Sequence, residues 1–212
     1  MRKLHRTAAP EVLQQFSHEL HTWAAVQGAD KELIREALDA FQHHRCAYCD
    51  GWRSGNHHIE HFRRKGQERN LTFVWQNLFV SCGPGGAASL HCGGYKDRQH
   101  YDVSLLLKPD EDDPQKYLHF TLNGHVAPRP GLGPIDTRRA EVTIEVFYLN
   151  QRVLQGKRRR EAERLLAPLN ESRDEEFQEM CWDDIASEIK SHAQHLPYLA
   201  IWLDALVDRS RG

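Results

Sequence analysis

Apolar residues recur at helical spacing near both ends of the chain. Between Pro10 and Gly28 they repeat every three or four positions, so we expect one helix that opens at Pro10 and closes at Gly28. A second helix is expected after Asp30, which can cap its first turn. Its apolar stripe consists of Leu33, Ile34, Ala37, Leu38 and Phe41. These two helices should pack on each other and on the core.

The C-terminal part is also predicted to be helical. Residues 136–150 fit either a strand or a helix, and a helix is favoured because Asp136 is a good N-cap. Residues 151–167 form a highly charged helix that ends at a proline, and Asn170 is expected to cap the helix that follows. A last apolar stripe after Pro197 predicts the final helix.

A hairpin and a linker separate these helical parts. Asn123-Gly124 lies between two short strand-like runs and suits a type I′ turn. Residues 128–134 are rich in proline and glycine and form the clearest linker. We therefore expect a helical lead-in over residues 1–43, a core with the hairpin over 44–130 and a helical region over 135–212. The three parts could also form one integrated domain.

The composition is that of an ordinary soluble globular protein. The sequence has 212 residues, of which 40% are hydrophobic and 27% charged. No apolar run approaches the roughly 20 residues that span a bilayer, and the basic start has no apolar segment behind it. We expect a cytoplasmic protein with no membrane contact. Because the net charge is −2, a nucleic-acid site would depend on local basic patches.

Four of the five cysteines lie close together in the sequence, which favours a metal site over a disulfide framework. The four are Cys46, Cys49, Cys82 and Cys92. The first pair forms a C-x2-C knuckle, and the second encloses a glycine-rich insert that can bring the sulfurs together. Four thiolates would hold a structural zinc ion, since they leave no open position for water. Alternatively, the second pair is only buried, and some of His57, His58 or His91 complete the site.

The segment His-Ile-Glu-His-Phe, between the cysteine pairs, provides groups for phosphodiester hydrolysis. The reaction needs a base for water and a cation that neutralises charge on the phosphate and leaving oxygen. His61 would be the neutral base, and Glu60 an oxygen ligand for Mg²⁺ or Mn²⁺. They can share a site only if the strand bends or ends there, because neighbouring residues point to opposite faces. Asn77 could bond a backbone carbonyl and orient the His61 ring or its loop.

Basic residues next to this segment suit phosphate groups. Three of them follow directly, namely Arg63, Arg64 and Lys65. Lys96 could contact the scissile or an adjacent phosphate. A second basic run at residues 157–160 could follow a nucleic-acid backbone, or could equally be a solvated helix face that pairs with nearby glutamates.

The motifs together resemble those of the HNH (ββα-metal) endonucleases: C-x2-C, then E-H-F, N-L-F-V-S-C and C-x3-K. More narrowly, I-E-H-F-R-R-K with W-Q-N-L-F-V-S-C and H-C-G-G-Y-K-D resembles the PtuB-like HNH subunit of Septu and retron-associated anti-phage systems. The resemblance covers roughly residues 44–155. It implies an α+β fold in which a zinc-stabilised ββα-metal core is embedded in a mostly α-helical chain with one β-hairpin.

The resemblance also implies residue roles. It assigns the general base, a metal ligand and the middle triplet residue to His61, Glu60 and Asn77, respectively. The third triplet position, normally His or Asn after the last cysteine, is Gly93 here, and glycine has no ligating side chain. Asp97 or His91 could replace it as a ligand of the catalytic ion. Asp97 is favoured because residues four apart share one face of the expected short helix.

At the level of function, the resemblance implies a metal-dependent nuclease that acts on nucleic acid, with DNA favoured over RNA. It further implies structural zinc, catalytic Mg²⁺ or Mn²⁺, and a partner ATPase of the SMC/ABC-like (PtuA-like) type in anti-phage defence. No P-loop occurs in this sequence, so ATP-driven gating would come from another subunit. One alternative is a non-catalytic zinc module that binds nucleic acid or scaffolds a complex. Another is a stand-alone restriction-type HNH enzyme, which would cut without a partner.

Overall fold

The computed structural model describes residues 1–52, 57–85, 90–171 and 173–210. In chain order, its helices and strands are α1 (Gly28–Gln42), β1 (His57–His61), β2 (Leu78–Cys82), α2 (Cys92–Lys96), β3 (Leu118–Phe120), β4 (Val126–Pro128), α3 (Pro134–Val146), α4 (Arg152–Leu166), α5 (Glu175–His192) and α6 (Leu199–Arg209). The predicted α+β class is confirmed. Among the helices described, none combines the length and apolar character that a membrane crossing requires.

The strands form two separate antiparallel pairs. β1 pairs with β2 so that His57 lies opposite Cys82 and His61 lies opposite Leu78. β3 pairs with β4 in the predicted hairpin, with Phe120 opposite Val126. Strand β2 contacts both α1 and α2, so the first hairpin lies between an N-terminal helix and the short helix that follows the last cysteine.

The N-terminal helix expected between Pro10 and Gly28 is wrong. Glu11–Gln15 and Trp23–Ala25 are short 3₁₀ turns, and Gly28 begins α1 rather than ending a helix. Between the turns, the backbone N–H of Ser17 donates to His21 Nδ1, 3.2 Å away. Such local side-chain bonds compete with the helical pattern and let the chain turn back on itself.

Helix α1 otherwise matches the prediction, with one change at its start. Ile34, Leu38 and Phe41 are buried, whereas Leu33 is 49% exposed. The N-cap is Gln27, and Asp30 lies in the first turn. A carboxylate in that turn favours the helix through its dipole instead of through a cap bond.

The ambiguous segment after the linker is helical, as predicted, and forms α3. Its N-cap is Gly133, with Pro134 in the first turn, rather than Asp136. The cap predicted at Asn170 is also wrong, because this residue ends a separate 3₁₀ turn. The side chain of Asp174 accepts a bond from the Phe177 backbone N–H and caps α5.

The turn of the β3–β4 hairpin is not of type I′. That turn needs a positive φ at both central residues, but only Gly124 of the pair has one, at +87°. Packing explains the difference: a Cβ at Gly124 would lie 2.2 Å from the Gln155 carbonyl oxygen on α4. The buried Arg158 guanidinium donates to the Gly124 carbonyl at 2.6 Å. The turn conformation is therefore selected by its contact with α4.

The main hydrophobic cluster contains residues of all three predicted parts, such as Leu38, Phe79 and Val146. A second cluster joins α4, α5 and α6 around Leu165, Ile185 and Trp202. The division into three parts stays a prediction.

Candidate metal centre and catalytic site

The structure brings four cysteine sulfurs together. The Sγ atoms of Cys46, Cys49, Cys82 and Cys92 all lie within 4.8 Å of one another. In a tetrahedral zinc site with Zn–S bonds of ~2.3 Å, sulfurs are ~3.8 Å apart, and the Cys49 and Cys82 sulfurs are 3.8 Å apart. The donor set and its geometry fit a structural zinc ion. Within the described ranges, no other group of three or more His, Cys, Asp or Glu side chains converges in this way.

Backbone contacts position the four thiols. The Ala47 N–H donates to the Val80 carbonyl at 3.1 Å, which joins the knuckle to β2. Cys92 has a φ of +60° at the start of α2, and its N–H donates to the Phe147 carbonyl at 2.8 Å. Residues 86–89 of the glycine-rich insert lie outside the described residues, so its looping out stays a prediction. The convergence of all four sulfurs favours the four-cysteine site over one completed by histidines.

His91 lies at the cysteine cluster. Its Nδ1 is 3.3 Å from Cys82 Sγ and 3.2 Å from Cys92 Sγ. An imidazole N–H at these distances can donate to a thiolate. The structure thus places His91 beside the structural metal group, whereas the sequence predicts it as a ligand of the catalytic ion.

Glu60 is buried and surrounded by polar partners from the chain itself. Its Oε1 is 2.5 Å from Lys96 Nζ, and its Oε2 is 3.3 Å from His58 Nε2. Burial alone would raise the pKa of Glu60, but the charges and hydrogen bonds of Lys96 and His58 hold it below its ordinary value. The carboxylate is therefore charged inside the protein.

The glycine at the third triplet position has a steric reason. A Cβ at Gly93 would lie 2.5 Å from Glu60 Oε2 and 2.6 Å from Glu60 Cδ. The Gly93 N–H donates to Ser81 Oγ at 3.0 Å, which holds the first turn of α2 against β2. The Glu60 side chain thus occupies the space that a larger residue would need.

Lys96 is buried, and this placement replaces the predicted phosphate contact. Besides Glu60, its ammonium group lies 2.6 Å from the His61 carbonyl, 3.0 Å from the Phe62 carbonyl and 3.3 Å from Asp97 Oδ1. Four oxygens around one buried cation leave its side chain no surface to present to a ligand. Lys96 therefore ties α2 to the end of β1. Asp97, predicted as a metal ligand, is partly exposed and shares this ammonium group with Glu60.

His61 is buried and its ring is held on two sides. Nε2 lies 2.9 Å from the Thr72 carbonyl oxygen. Because a carbonyl only accepts, Nε2 carries the proton and Nδ1 is the accepting nitrogen. The Trp23 ring stands edge-on to the imidazole, with centroids 4.6 Å apart. Burial and then the charge of Lys65 lower the pKa of His61 to about 4, so the ring is neutral at pH 7.

Glu60 and His61 contact different groups. β1 continues through His61, which pairs with Leu78, and the bend that would bring the two side chains together is not formed. Glu60 faces His58, two residues earlier on the same side of the strand, whereas His61 faces Trp23. The alternation of a regular strand therefore separates the candidate ligand from the candidate base.

Asn77 holds the loop between β1 and β2. Its Oδ1 accepts from the Arg63 N–H at 2.7 Å, and its Nδ2 donates to the carbonyls of Arg63 at 2.9 Å and Leu71 at 3.1 Å. Its own carbonyl accepts from the Phe62 N–H at 2.8 Å. The expected bonds to backbone carbonyls are present. This clamp fixes the loop that carries Thr72, which in turn orients His61.

The basic residues divide between buried and exposed positions. The Arg64 guanidinium donates to the carbonyls of Lys96 and Gln99, at 2.6 and 2.5 Å, and so caps α2 rather than facing a ligand. Arg63 pairs with Glu68 at 3.0 Å at the surface, and Lys65 is exposed. In the second basic run, Arg158 is buried and does not follow a surface.

The structure adds residues that sequence reasoning missed. A cavity of about 630 Å³ is lined by Trp23 and Thr72, which contact His61, and by residues that include His21, Lys65 and Arg69. The apolar spacing predicts Trp23 as part of a core helix, and Thr72 contributes only its backbone carbonyl. Neither has a local sequence signal for this position.

Comparison with known proteins relates part of this chain to a curated protein. No family model matches the sequence. A protein of Vibrio cholerae serotype O1 biovar El Tor, described as "Retron Vc95 putative HNH endonuclease", is 26% identical over 140 residues. The match covers 64% of this chain and 66% of that relative's length.

Proposed function

We propose that this chain is an HNH-type endonuclease that hydrolyses phosphodiester bonds in nucleic acid, with DNA favoured as the substrate. The observation that carries the proposal is the contact of buried His61 Nε2 with the Thr72 carbonyl, in a loop that Asn77 clamps. This arrangement leaves Nδ1 as the accepting nitrogen of an imidazole in the segment that resembles the HNH motif. The similarity to the Vibrio cholerae protein supports the same function.

The cysteine cluster would serve this site as a support. Zinc on the four thiolates would join the knuckle, the end of β2 and the start of α2. The ion would hold the β1–β2–α2 unit in shape and take no part in the reaction.

The catalytic cation would be bound by carboxylate oxygens. The candidate donors are Glu60 and Asp97, which both face the Lys96 ammonium group, so a divalent ion would have to displace this lysine. Mg²⁺ and Mn²⁺ prefer this kind of donor. When bound, such an ion stabilises negative charge on the phosphate and the leaving oxygen.

His61 would act as the general base. Its Nδ1 accepts a proton from the attacking water, while Nε2–H remains bonded to the Thr72 carbonyl and stabilises the resulting imidazolium. Asn77 keeps that carbonyl in place by closing the loop on both sides. Because Trp23 covers the ring, the Trp23–Ala25 turn has to shift for a phosphate to reach it.

The biological setting is a further part of the proposal. The relative's name places that protein in a retron, and the motif resemblance extends to the HNH subunits of Septu and retron-associated defence systems. Together they support a role in anti-phage defence beside an SMC/ABC-like ATPase, which would supply the P-loop that this sequence lacks.

A cleavage assay tests the nuclease assignment. Plasmid DNA and structured RNA are incubated with Mg²⁺ or Mn²⁺ and with wild type, His61→Ala or His125→Ala, the last being a control at an exposed hairpin position. We expect His61→Ala to reduce cleavage by about 10²–10⁴-fold, with zinc content retained, and His125→Ala to leave it unchanged. If the wild type is inactive alone, the assay is repeated with the partner ATPase.

Inactivity in the presence of the partner would overturn the nuclease proposal. A second candidate, a zinc module that binds nucleic acid without cutting it, would then be preferred. One observation favours that candidate: Glu60 is already neutralised by Lys96 and His58. Cleavage without any partner would instead identify a stand-alone enzyme.

A further inference from the structure

We propose that the cavity beside His61 binds an unpaired nucleotide of the substrate strand, with its base against Trp23 and its phosphate at Lys65 and Arg69. This inference rests on the proposed nuclease function and deepens it. It specifies that the preferred substrate is a single-stranded or locally unpaired nucleic acid, rather than an intact duplex.

The cavity has the size and position for such a ligand. It encloses about 630 Å³ between residues 21–24 on one side and residues 65–72 on the other. Sites for small organic ligands are usually ~300–1,000 Å³. Thr72, whose carbonyl bonds His61, belongs to the wall. A bound nucleotide would therefore contact Trp23 and Thr72, the two residues that hold the His61 ring.

The charge of the lining favours an anion. Lys65 and Arg69 are exposed cations, and the lining includes no Asp or Glu. Across the described part of the chain, no carboxylate lies within ion-pair distance of Lys65 or Arg69. The charge of Lys65 also reaches His61, where it helps to lower the pKa of the imidazole.

A second cavity, beyond Asn77, provides an internal contrast. It measures about 350 Å³ and also contains basic residues, among them Arg63 and Arg139. Acidic residues share its wall, however, and Arg139 is bound by Asp112 at 2.8 Å. The cations of that cavity are neutralised by the protein, whereas those beside His61 remain available for a phosphate.

Trp23 gives the cavity its second feature. The indole is partly exposed and contacts two rings. It stands edge-on to His61, and its centroid lies 6.0 Å from that of Phe73. Phe73 stacks in turn on Phe16 at 5.4 Å. A partly exposed aromatic ring beside cations is the arrangement that binds single strands, because every base has a π face to stack. Bases inside a duplex are already stacked and cannot use it.

Binding measurements without added Mg²⁺ or Mn²⁺ separate this inference from catalysis. A fluorescein-labelled oligodeoxythymidine and a duplex of equal length are titrated with wild type, Trp23→Ala, Trp23→Phe and Lys65→Ala/Arg69→Ala. The matched control is Lys116→Ala/Arg173→Ala, which removes one lysine and one arginine from exposed positions elsewhere. Zinc content and circular dichroism verify the fold of each variant. Lys65 and Arg69 are exposed, so their removal leaves no cavity in the core.

We expect Trp23→Ala to weaken single-strand binding by roughly tenfold, and Trp23→Phe to weaken it less. The cation double variant should also bind more weakly, and the slope of log K against log salt should fall by about 0.7 for each phosphate that the variant no longer neutralises. Duplex affinity should depend little on Trp23. The control double variant should match wild type.

Equal single-strand affinity in wild type and both cavity variants would overturn the proposal. The proposal would also fail if heparin displaced the labelled strand as well as unlabelled oligonucleotide does and Trp23→Ala left single-strand affinity unchanged. The cavity would then bind any polyanion. Neither result bears on the nuclease assignment, which depends on loss of cleavage in His61→Ala. If His61→Ala still binds the strand but cleaves as well as wild type, the nuclease mechanism fails and the cavity proposal stands.

Discussion

The two faces of strand β1 differ in how their polar groups are satisfied. On one face, Glu60 is enclosed by Lys96, His58 and the glycine at position 93, so its charge is balanced within the protein. On the other, His61 is neutral, bonded to one backbone carbonyl, and separated by Trp23 from a cavity whose cations have no acidic neighbour in the lining. The Glu60 face is thus built like a core, and the His61 face like a binding site.

This contrast shows why a motif alone does not define a site. Glu60 and His61 are adjacent in sequence, yet the regular strand sends them to opposite sides. The ion pair of Glu60 stabilises the β1–β2–α2 unit, while the surroundings of His61 are suited to a ligand. The following predictions test this division, from the largest expected effect to the smallest.

The support common to both faces is the cysteine cluster. Cys49→Ser should abolish zinc binding and lower the free energy of unfolding by about 5 kcal/mol or more, because the segments around the cluster depend on the ion. Zinc analysis and thermal unfolding measure the two effects. Cys181→Ser, at a buried cysteine in α5, should keep the zinc. Full zinc content in Cys49→Ser would show that this thiol is not a ligand.

Breaking the ion pair of the Glu60 face comes next. Lys96→Met should lower the free energy of unfolding by about 3–5 kcal/mol, since it leaves a buried carboxylate without its cation. Glu60→Gln/Lys96→Met should recover part of that loss, because both charges are removed. Urea denaturation provides the comparison, with Arg138→Ala as an exposed control. If Lys96→Met had the same free energy of unfolding as the control, the charge of Glu60 would not depend on Lys96 for its neutralisation.

The loop of the His61 face depends on Asn77. Asn77→Ala removes three hydrogen bonds to backbone groups and should cost about 2–3 kcal/mol of stability. It should also lower cleavage with zinc retained, because Thr72 is no longer held under His61. Asn123→Ala, in the exposed hairpin loop, is the matched control and should have a smaller effect on stability and none on cleavage. Unchanged cleavage in Asn77→Ala would separate this clamp from catalysis.

The smallest effect concerns the glycine next to Glu60. Gly93→Ala should destabilise the protein by about 1–2 kcal/mol, because its Cβ would overlap the Glu60 carboxylate. Gly156→Ala should instead stabilise it by up to about 1 kcal/mol, as its Cβ meets only the end of the Arg160 side chain inside α4. Thermal unfolding of the two variants gives shifts of opposite sign. A stable Gly93→Ala would show that Glu60 can move away from α2.

Most of the chemistry at the site could be read from local patterns. The C-x2-C knuckle and the second cysteine pair predicted a four-sulfur cluster, and the four sulfurs do converge. The polar Asn77 among apolar neighbours predicted a bond to the backbone, which is present. The helices at α1, α3 and α4 and the β3–β4 hairpin followed from periodicity and turn residues. Each of these features depends on residues close in sequence or on ligand chemistry.

Tertiary contacts decided the rest. The sequence by itself determined which side chains can ligate a metal, accept a proton or pair with a carbonyl. It did not determine that Lys96 and Arg64 turn inward, that Gly93 makes room for Glu60, or that Trp23 covers His61. A lysine or tryptophan has the same local pattern whether it faces solvent or a buried partner. The choice depends on charges and shapes brought together from distant parts of the chain.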